Sequence, residues 1–190
     1  MVDTENLKVH GSIFFLLRKF VISTYDESMW LQLNVDAHTE GQDFMMTESY
    51  PLKMMNDLIG AASRRSKIPV EDLKKGFGEF LVPDLFQLYK SFIEPSWRTF
   101  ELLEYTEGIM HNNVRKLNST AAPPILQVTK INTDTLMINY YSKRKMGSLA
   151  IGIITGIAKY YKEDSNIEII SLTPPDAERV QIKVERNVYN

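Results

Sequence analysis

Few side chains in this sequence combine a chemically useful group with a defined setting. The 190 residues include three histidines and no cysteine, which excludes disulfides, thiolate metal sites and iron–sulfur clusters. His10 lies near the N-terminus, and His38 lies in a polar segment whose spacing matches no established metal motif. His111 lies late in a predicted helix over 96–117, where a 3.6-residue period places it at the border of an apolar face. That face is made of Phe100, Leu103 and Val114. His111 is therefore either a ligand or a histidine at the edge of the core.

A second group of polar side chains follows the end of a predicted strand. Within Tyr140-Tyr-Ser-Lys-Arg-Lys, alternation along a strand directs Tyr140, Ser142 and Arg144 to one face. Two hydroxyl groups and a guanidinium on one side form a receptor for a carboxylate or a phosphate, since arginine can bind such groups through two parallel hydrogen bonds. A solvated strand face explains the same pattern equally well.

The elements that must position these residues change in character along the chain. Hydrophobic spacing typical of helices predominates in the first two thirds. It predicts helices over 13–20, 29–35, 50–65, 69–81, 86–92 and 96–117. The helix that opens at Pro69 should end before Pro83, since proline interrupts a helix.

After the prolines of 121–124, the pattern predicts a small antiparallel sheet. Alternating segments bounded by turn residues indicate two hairpins. The four strands are expected over 125–131, 135–141, 167–172 and 179–184. An apolar helix over 146–161 separates the two hairpins. The fold class is therefore α+β: an N-terminal helical lobe precedes a C-terminal lobe with an antiparallel sheet of about four strands and crossing helices.

Composition and charge exclude several classes of protein. A net charge of −2 and a pI near 6.0 give no reason to expect nucleic acid or an anionic membrane as a partner. No apolar stretch reaches the roughly 18–20 residues of a membrane span, and the acidic N-terminus is unlike a signal peptide, so a cytoplasmic protein is expected. The sequence has no phosphate loop, nucleophile elbow or paired catalytic carboxylates, so the chain is not expected to be an enzyme.

The order and spacing of these motifs resemble those of the H-NOX (heme nitric oxide/oxygen binding) family. The family has a helix with a proximal histidine, then a proline break, then a strand that ends in Tyr-x-Ser-x-Arg. Here these are His111, Ala121-Ala-Pro-Pro124 and Tyr140-Tyr-Ser142-Lys-Arg144. The resemblance extends over nearly the whole chain, because 11–20 is similar to the family's opening helix and 77–80 to a mid-chain segment.

The resemblance implies both an architecture and a cofactor. The chain is expected to form one domain over 1–190, with a helical lobe of about 1–65 and an α/β lobe of about 66–190. Heme b, which is Fe protoporphyrin IX, is expected between the two lobes.

The resemblance also gives the site residues their roles. His111 is expected to coordinate ferrous iron as a neutral imidazole. Tyr140, Ser142 and Arg144 are expected to bind the two propionates, in agreement with the one-face pattern. Pro124 resembles the proline that packs against the heme and distorts it from planarity.

The choice of gas follows from the residues expected on the other side of the heme. Dioxygen accumulates negative charge when bound and needs a nearby hydrogen-bond donor, whereas nitric oxide and carbon monoxide do not. Oxygen-binding members of the family carry a tyrosine at the position that matches Leu149. The expected distal pocket is aliphatic at six positions, Ile13, Leu17, Leu81, Leu85, Leu149 and Ile153. Selectivity for nitric oxide is therefore predicted, unless Tyr89 or Ser148 turns inward as a donor.

A signalling mechanism is implied as well. Nitric oxide is expected to weaken the bond between iron and His111 and so to release the helix that carries this residue. Since the chain ends at Asn190, soon after the predicted sheet, the signal is expected to pass to a separate partner, a histidine kinase or a cyclic-di-nucleotide enzyme. Three alternatives stay open: an oxygen-binding H-NOX, a heme-free site for a carboxylated hydrophobic ligand with His111 idle, and a heme enzyme.

Overall fold

The structure of this chain, a computed structural model, describes residues 7–117 and 123–187. Its α-helices in these ranges are α1 (Gly11–Thr24), α2 (Glu27–Ala37), α3 (Leu52–Ser66), α4 (Val70–Leu88), α5 (Thr99–Tyr105), α6 (Asn112–Leu117) and α7 (Gly147–Tyr160). Its strands are β1 (Lys8–His10), β2 (Ser49–Pro51), β3 (Ile125–Asn132), β4 (Thr135–Tyr141), β5 (Ile167–Ser171) and β6 (Arg179–Arg186). A 3₁₀ turn, Lys90–Phe92, follows α4, and a π-helical segment, Thr106–His111, joins α5 to α6. The predicted α+β fold class is confirmed.

The last four strands form one antiparallel sheet in the order β3-β4-β6-β5. This arrangement confirms the two predicted hairpins, and the observed strands begin and end within two residues of the predicted bounds. On one face, cross-strand partners such as Ile138 and Ile182 are fully buried. Phe100 of α5 and Ile154 of α7 belong to the same apolar cluster, so both helices pack on this face of the sheet.

A second apolar cluster lies among the first three helices. Phe14 stacks on Phe44 with 4.3 Å between ring centroids, and both rings contact Tyr50 edge-on. The N-cap of α1 is His10, whose Nδ1 accepts a 3.4 Å hydrogen bond from the Ser12 N–H.

The sequence pattern does not predict the short two-stranded ribbon formed by β1 and β2. β1 and β2 pair in antiparallel fashion, with Val9 opposite Tyr50. Each strand has three residues, which is too short for alternation to stand out in a sequence. The ribbon fixes the residues just before α1, including His10.

The expected end of the fourth helix before Pro83 is wrong. α4 continues through Pro83 to Leu88, and the helix predicted over 86–92 is the end of α4 followed by the 3₁₀ turn. Proline inside a helix costs about 3 kcal/mol. Leu85 and Phe86, which follow Pro83, pack against the two apolar clusters, and this packing offsets the cost.

α4 also connects the two apolar clusters. Its Phe77 and Leu81 belong to the cluster of the first helices, whereas Val82 belongs to the cluster under the sheet. The helix therefore packs on both sides, and the expected boundary between lobes near residue 65 stays a prediction.

The helix predicted over 96–117 is present but is not uniform. It begins at Thr99, and its middle third, Thr106–His111, is π-helical, with hydrogen bonds from residue i to i+5. The expectation that His111 borders the apolar face of Phe100 is wrong. Phe100 is buried under the sheet, whereas His111 and Val114 line a separate cavity. The π turn lies between Phe100 and these two residues, and its wider turn changes their angular position relative to Phe100.

Candidate functional site

A cavity of about 460 Å³ lies where the start of α1, α4, α7 and the segment 102–114 approach one another. Its volume is within the range of roughly 300–1,000 Å³ that small-molecule and cofactor sites occupy. Most of its wall is apolar. The polar side chains that reach it are those of His10, Ser12, Tyr89, Thr106, His111, Tyr140 and Arg144. An apolar cavity with a few polar groups is typical of a site for a largely hydrophobic ligand.

Five of the six aliphatic residues predicted to form the distal pocket line this cavity. These are Ile13 of α1, Leu81 and Leu85 of α4, and Leu149 and Ile153 of α7. Spacings of four residues place each helical pair on one face of its helix.

Leu17 is the exception. It is 4% exposed and belongs to the apolar core of the first helices rather than to the cavity wall. α1 reaches the cavity only with its first turn, through Ser12 and Ile13, and Leu17 lies one turn further along the helix.

His111 lines the cavity from the last position of the π segment. Its Nδ1 lies 3.0 Å from Oε2 of Glu107. Burial lowers the pKa of His111, while its hydrogen bond and charge interaction with Glu107 oppose that shift without cancelling it. A lowered pKa favours the neutral imidazole, which is the form that can coordinate a metal ion.

Tyr140 and Arg144 also line the cavity. Tyr140 is 3% exposed at the end of β4, and burial raises the pKa of its phenol. Burial lowers the pKa of the Arg144 guanidinium, whose Nη1 donates a 3.2 Å hydrogen bond to the carbonyl of Lys8. A carboxylate at this end of the cavity would offset the desolvation of Arg144.

Ser142 reaches this site indirectly, and the strand alternation expected for the three residues is wrong. β4 ends at Tyr141, and a turn follows in which Lys145 has a φ of 54°. The Ser142 hydroxyl accepts a 3.2 Å hydrogen bond from the Arg144 N–H and interacts with the Tyr140 phenol. The turn, rather than the strand pleat, therefore brings Arg144 beside Tyr140.

Pro124 lies on the cavity wall next to the segment that carries His111. Its carbonyl accepts a 3.2 Å hydrogen bond from Nη2 of Arg115. The preceding part of the expected proline break, through residue 122, lies outside the described residues.

The two hydroxyl groups that could turn inward as donors lie in different settings. Tyr89 lines the cavity wall, four residues after Leu85, and caps the C-terminus of α4. Burial raises the pKa of its phenol, so the O–H is retained and can donate. Ser148 is different, because its buried hydroxyl hydrogen-bonds the carboxylate of Glu71.

Other features noted in the sequence do not form a site. His38 ends α2 in a left-handed conformation with a φ of 54°. Among the residues that the structure describes, no group of three or more His, Asp or Glu side chains could hold a metal ion. No helix in the described ranges is long and apolar enough to cross a membrane.

Comparison with known proteins identifies a family and a fold. A family model described as Haem-NO-binding matches residues 10–169. The chain resembles the crystal structure of an H-NOX protein from S. oneidensis in the Fe(II)NO ligation state, with a TM-score of 0.87 and 20% identity over 95% of this chain and 100% of that one. It also resembles the crystal structure of the Fe(II) unliganded H-NOX protein from K. algicida, with a TM-score of 0.81 and 19% identity over 95% and 98% of the two chains.

A solution structure agrees with these two. The NMR structure of the SO2144 H-NOX domain from Shewanella oneidensis in the Fe(II)CO ligation state has a TM-score of 0.82 and 20% identity, covering 94% of this chain and 99% of that one. No curated protein sequence matches this chain significantly.

Proposed function

Since the chain belongs to the Haem-NO-binding (H-NOX) family of heme gas-sensor domains, we propose that it binds heme b in this cavity, with His111 as the iron ligand, and senses nitric oxide. One observation carries the proposal. His111, Tyr140 and Arg144 come from separate elements, yet all three line the same apolar cavity.

The residues of the cavity fit the chemistry of heme. A porphyrin has a large apolar surface, a metal that accepts an imidazole nitrogen and two carboxylates at one edge. The cavity offers an aliphatic wall, a half-buried imidazole whose neutral form is favoured by burial, and a guanidinium that is desolvated by burial. Each of these groups suits one part of the cofactor.

The propionates would be held by the residues around the end of β4. Arg144 supplies the positive charge, and the Tyr140 phenol, kept protonated by burial, can donate a hydrogen bond. Ser142 would act as a support, because its hydroxyl holds the Arg144 backbone in the turn. Pro124 would pack its ring against the porphyrin next to His111.

Ferrous heme supplies an iron centre that binds nitric oxide and carbon monoxide without a hydrogen bond from the protein. The aliphatic side chains of Ile13, Leu81 and Leu149 on the cavity wall present no hydrogen-bond donor. They therefore favour these two gases over dioxygen, which needs a donor to be held.

Tyr89 supports a second candidate, an oxygen-binding member of the family. Its protonated phenol lines the cavity one turn beyond Leu85. Exposing the reduced protein to air separates the two candidates. A stable oxygen complex in the wild-type protein that is lost in Tyr89→Phe would favour an oxygen-binding protein. The absence of an oxygen complex in the wild-type protein would favour a nitric oxide sensor.

The signal would leave through the segment that carries His111. Thr106–His111 is π-helical, a form that is rare and often found at functional positions. Movement of His111 would shift this segment relative to β3 and α6. A separate histidine kinase or cyclic-di-nucleotide enzyme would read that shift, and the sensor itself would perform no catalysis.

Replacement of His111 tests the ligand assignment. His111→Gly should remove the five-coordinate ferrous spectrum, and added imidazole should restore it by filling the space of the lost side chain. His38→Asn is the matched control, since His38 is exposed and asparagine tolerates its left-handed conformation. A ferrous spectrum that survives in His111→Gly without imidazole would refute the assignment. If heme is not bound but fatty acids or porphyrin acids are, the cavity is a heme-free site instead.

A further inference from the structure

The carboxylate of Glu107 connects three parts of the protein beside the cavity. Its Oε2 lies 3.0 Å from Nδ1 of His111 and accepts a 2.9 Å hydrogen bond from the Leu126 N–H. Its Oε1 accepts a 2.8 Å hydrogen bond from Nη1 of Arg115. The π segment, α6 and β3 therefore meet at one anionic group.

We propose that Glu107 is a positioning residue for His111. It orients the imidazole, makes it a stronger electron donor to the iron, and ties the segment that carries it to the first strand of the sheet. The inference rests on the proposed function, because it requires His111 to be the iron ligand.

The hydrogen-bond chemistry defines the tautomer of His111. An ionised carboxylate only accepts hydrogen bonds, so Nδ1 of the ring carries the proton and donates the hydrogen bond to Glu107. The remaining nitrogen, Nε2, then has the lone pair that can coordinate a metal. A carboxylate that accepts from the outer nitrogen of a metal-bound histidine fixes the ring orientation and raises the basicity of the ligand.

The surroundings of Glu107 favour its anionic form. The side chain is 26% exposed and is paired with the Arg115 guanidinium at 2.8 Å. The Leu126 N–H adds a backbone donor to the same oxygen that contacts His111. Arg115 is itself placed by a hydrogen bond to the Pro124 carbonyl, so the carboxylate is held from several directions.

This geometry has two consequences for a bound iron. If iron were bound, the more basic His111 imidazole would favour the ferric over the ferrous state and would coordinate the iron more strongly. The bond to Leu126 also means that His111 cannot move far without straining a contact between the π segment and β3. The side chain that tunes the ligand thus also couples its position to the sheet.

Glu107→Gln tests the inference, since it keeps the size of the side chain and removes its charge. We expect the Fe–His stretching band of the ferrous protein, measured by resonance Raman spectroscopy, to move to lower frequency. We expect the ferrous state to be favoured about tenfold more, which raises the midpoint potential by about 59 mV. The matched control is Glu104→Gln, because Glu104 lies on the preceding turn and pairs with Lys130 at 3.1 Å instead.

A second variant covers the case in which Glu107→Gln does not fold. Glu107→Asp keeps the charge but shortens the side chain. It should shift the Fe–His band and the midpoint potential in the same directions as Glu107→Gln, but by smaller amounts. If the Fe–His band and the potential of the Glu107 variants equal those of Glu104→Gln, the inference is wrong.

The outcome can be separated from a failure of the proposed function. If the proposed function is wrong, the wild-type protein will show no Fe–His band that depends on His111. A wild-type band that depends on His111, together with no response to Glu107, would overturn only the inference about Glu107.

Discussion

Replacing Gly152 with alanine should force apart the two helices that form much of the cavity wall. A Cβ at position 152 of α7 would lie 2.1 Å from the carbonyl oxygen of Lys75 in α4, and 2.8 Å from the Cα of the same residue. Ordinary contacts begin near 3.4 Å, so the helices must separate by roughly 1 Å. The atoms in the way belong to the backbone and cannot turn aside as a side chain could.

The expected cost follows from two opposing effects. Overpacking of this kind destabilises a core by about 1–3 kcal/mol, and alanine returns up to about 1 kcal/mol through its higher helix propensity. A net loss of about 1–2 kcal/mol is therefore expected, and for a domain of this size it lowers the Tm by about 2–8 °C. Gly76→Ala is the control on α4, because a Cβ there would meet only Phe20 Cζ, at 3.8 Å. That variant should gain about 0.5–1 kcal/mol.

Urea unfolding followed by circular dichroism measures both variants in parallel. The reasoning predicts a lower midpoint for Gly152→Ala and a higher one for Gly76→Ala, with the slope unchanged. A Gly152→Ala protein that is as stable as the Gly76→Ala protein would show that the two helices can accommodate the methyl group, and would refute the reasoning.

Three further predictions concern the site. Leu149→Tyr should place a hydroxyl on the aliphatic wall and give the reduced protein an oxygen complex that is stable in air, so an absorption spectrum unchanged in air would contradict the prediction. Arg144→Met should speed the transfer of heme to a scavenger apoprotein, because a charged hydrogen bond to the heme is lost and the affinity for heme falls about 10- to 100-fold. Equal rates of heme loss in the variant and the wild-type protein would count against propionate binding by Arg144. Burial lowers the pKa of His10 below its ordinary 6.5, and its Nδ1 can accept from the Ser12 N–H only while the ring is neutral. The stability that this cap contributes is present above about pH 6.5 and is lost as the pH falls through the folded pKa of His10. His10→Asn retains a capping oxygen that does not titrate, so it should lose less stability than the wild-type protein between pH 7 and pH 5 in urea titrations. Equal losses in the two proteins would contradict this prediction.

The sheet could be predicted because its pattern is local. In β4, the residues Leu136, Ile138 and Tyr140 are buried, in agreement with alternation along a strand. Hairpin partners are also close in sequence, so their turns define which strands pair. The position of Tyr140 followed from the same alternation. Arg144 did not, because β4 ends before it and a turn determines where its side chain lies.

The helices were less predictable where packing decides their form. Pro83 is a strong local signal for the end of a helix, yet α4 continues to Leu88, because Leu85 and Phe86 pack against the two apolar clusters. With a helix predicted to end before Pro83, the direction of the Tyr89 side chain could not be predicted. The continuous helix places Tyr89 four residues after Leu85, on the cavity side. The π segment has no distinct sequence pattern, and the contact of its Glu107 with the Leu126 N–H of β3 is not local in sequence.

Glu107 shows the same limit within the site. Its spacing of four residues from His111 is visible in the sequence and is typical of a contact on one helix face. The hydrogen bond to the Leu126 N–H joins residues 19 positions apart, and no local pattern predicts it. The ligand candidate could therefore be found from the sequence, but its supporting contacts could not.

The most direct test of the central proposal is the absorption spectrum of the purified protein after reconstitution with heme b and reduction without air. We expect one heme per chain and a single broad Soret band typical of five-coordinate ferrous heme with one histidine ligand, which in this protein is His111. A protein that retains no heme under these conditions, or a ferrous spectrum identical in wild-type and His111→Gly proteins, would contradict the account.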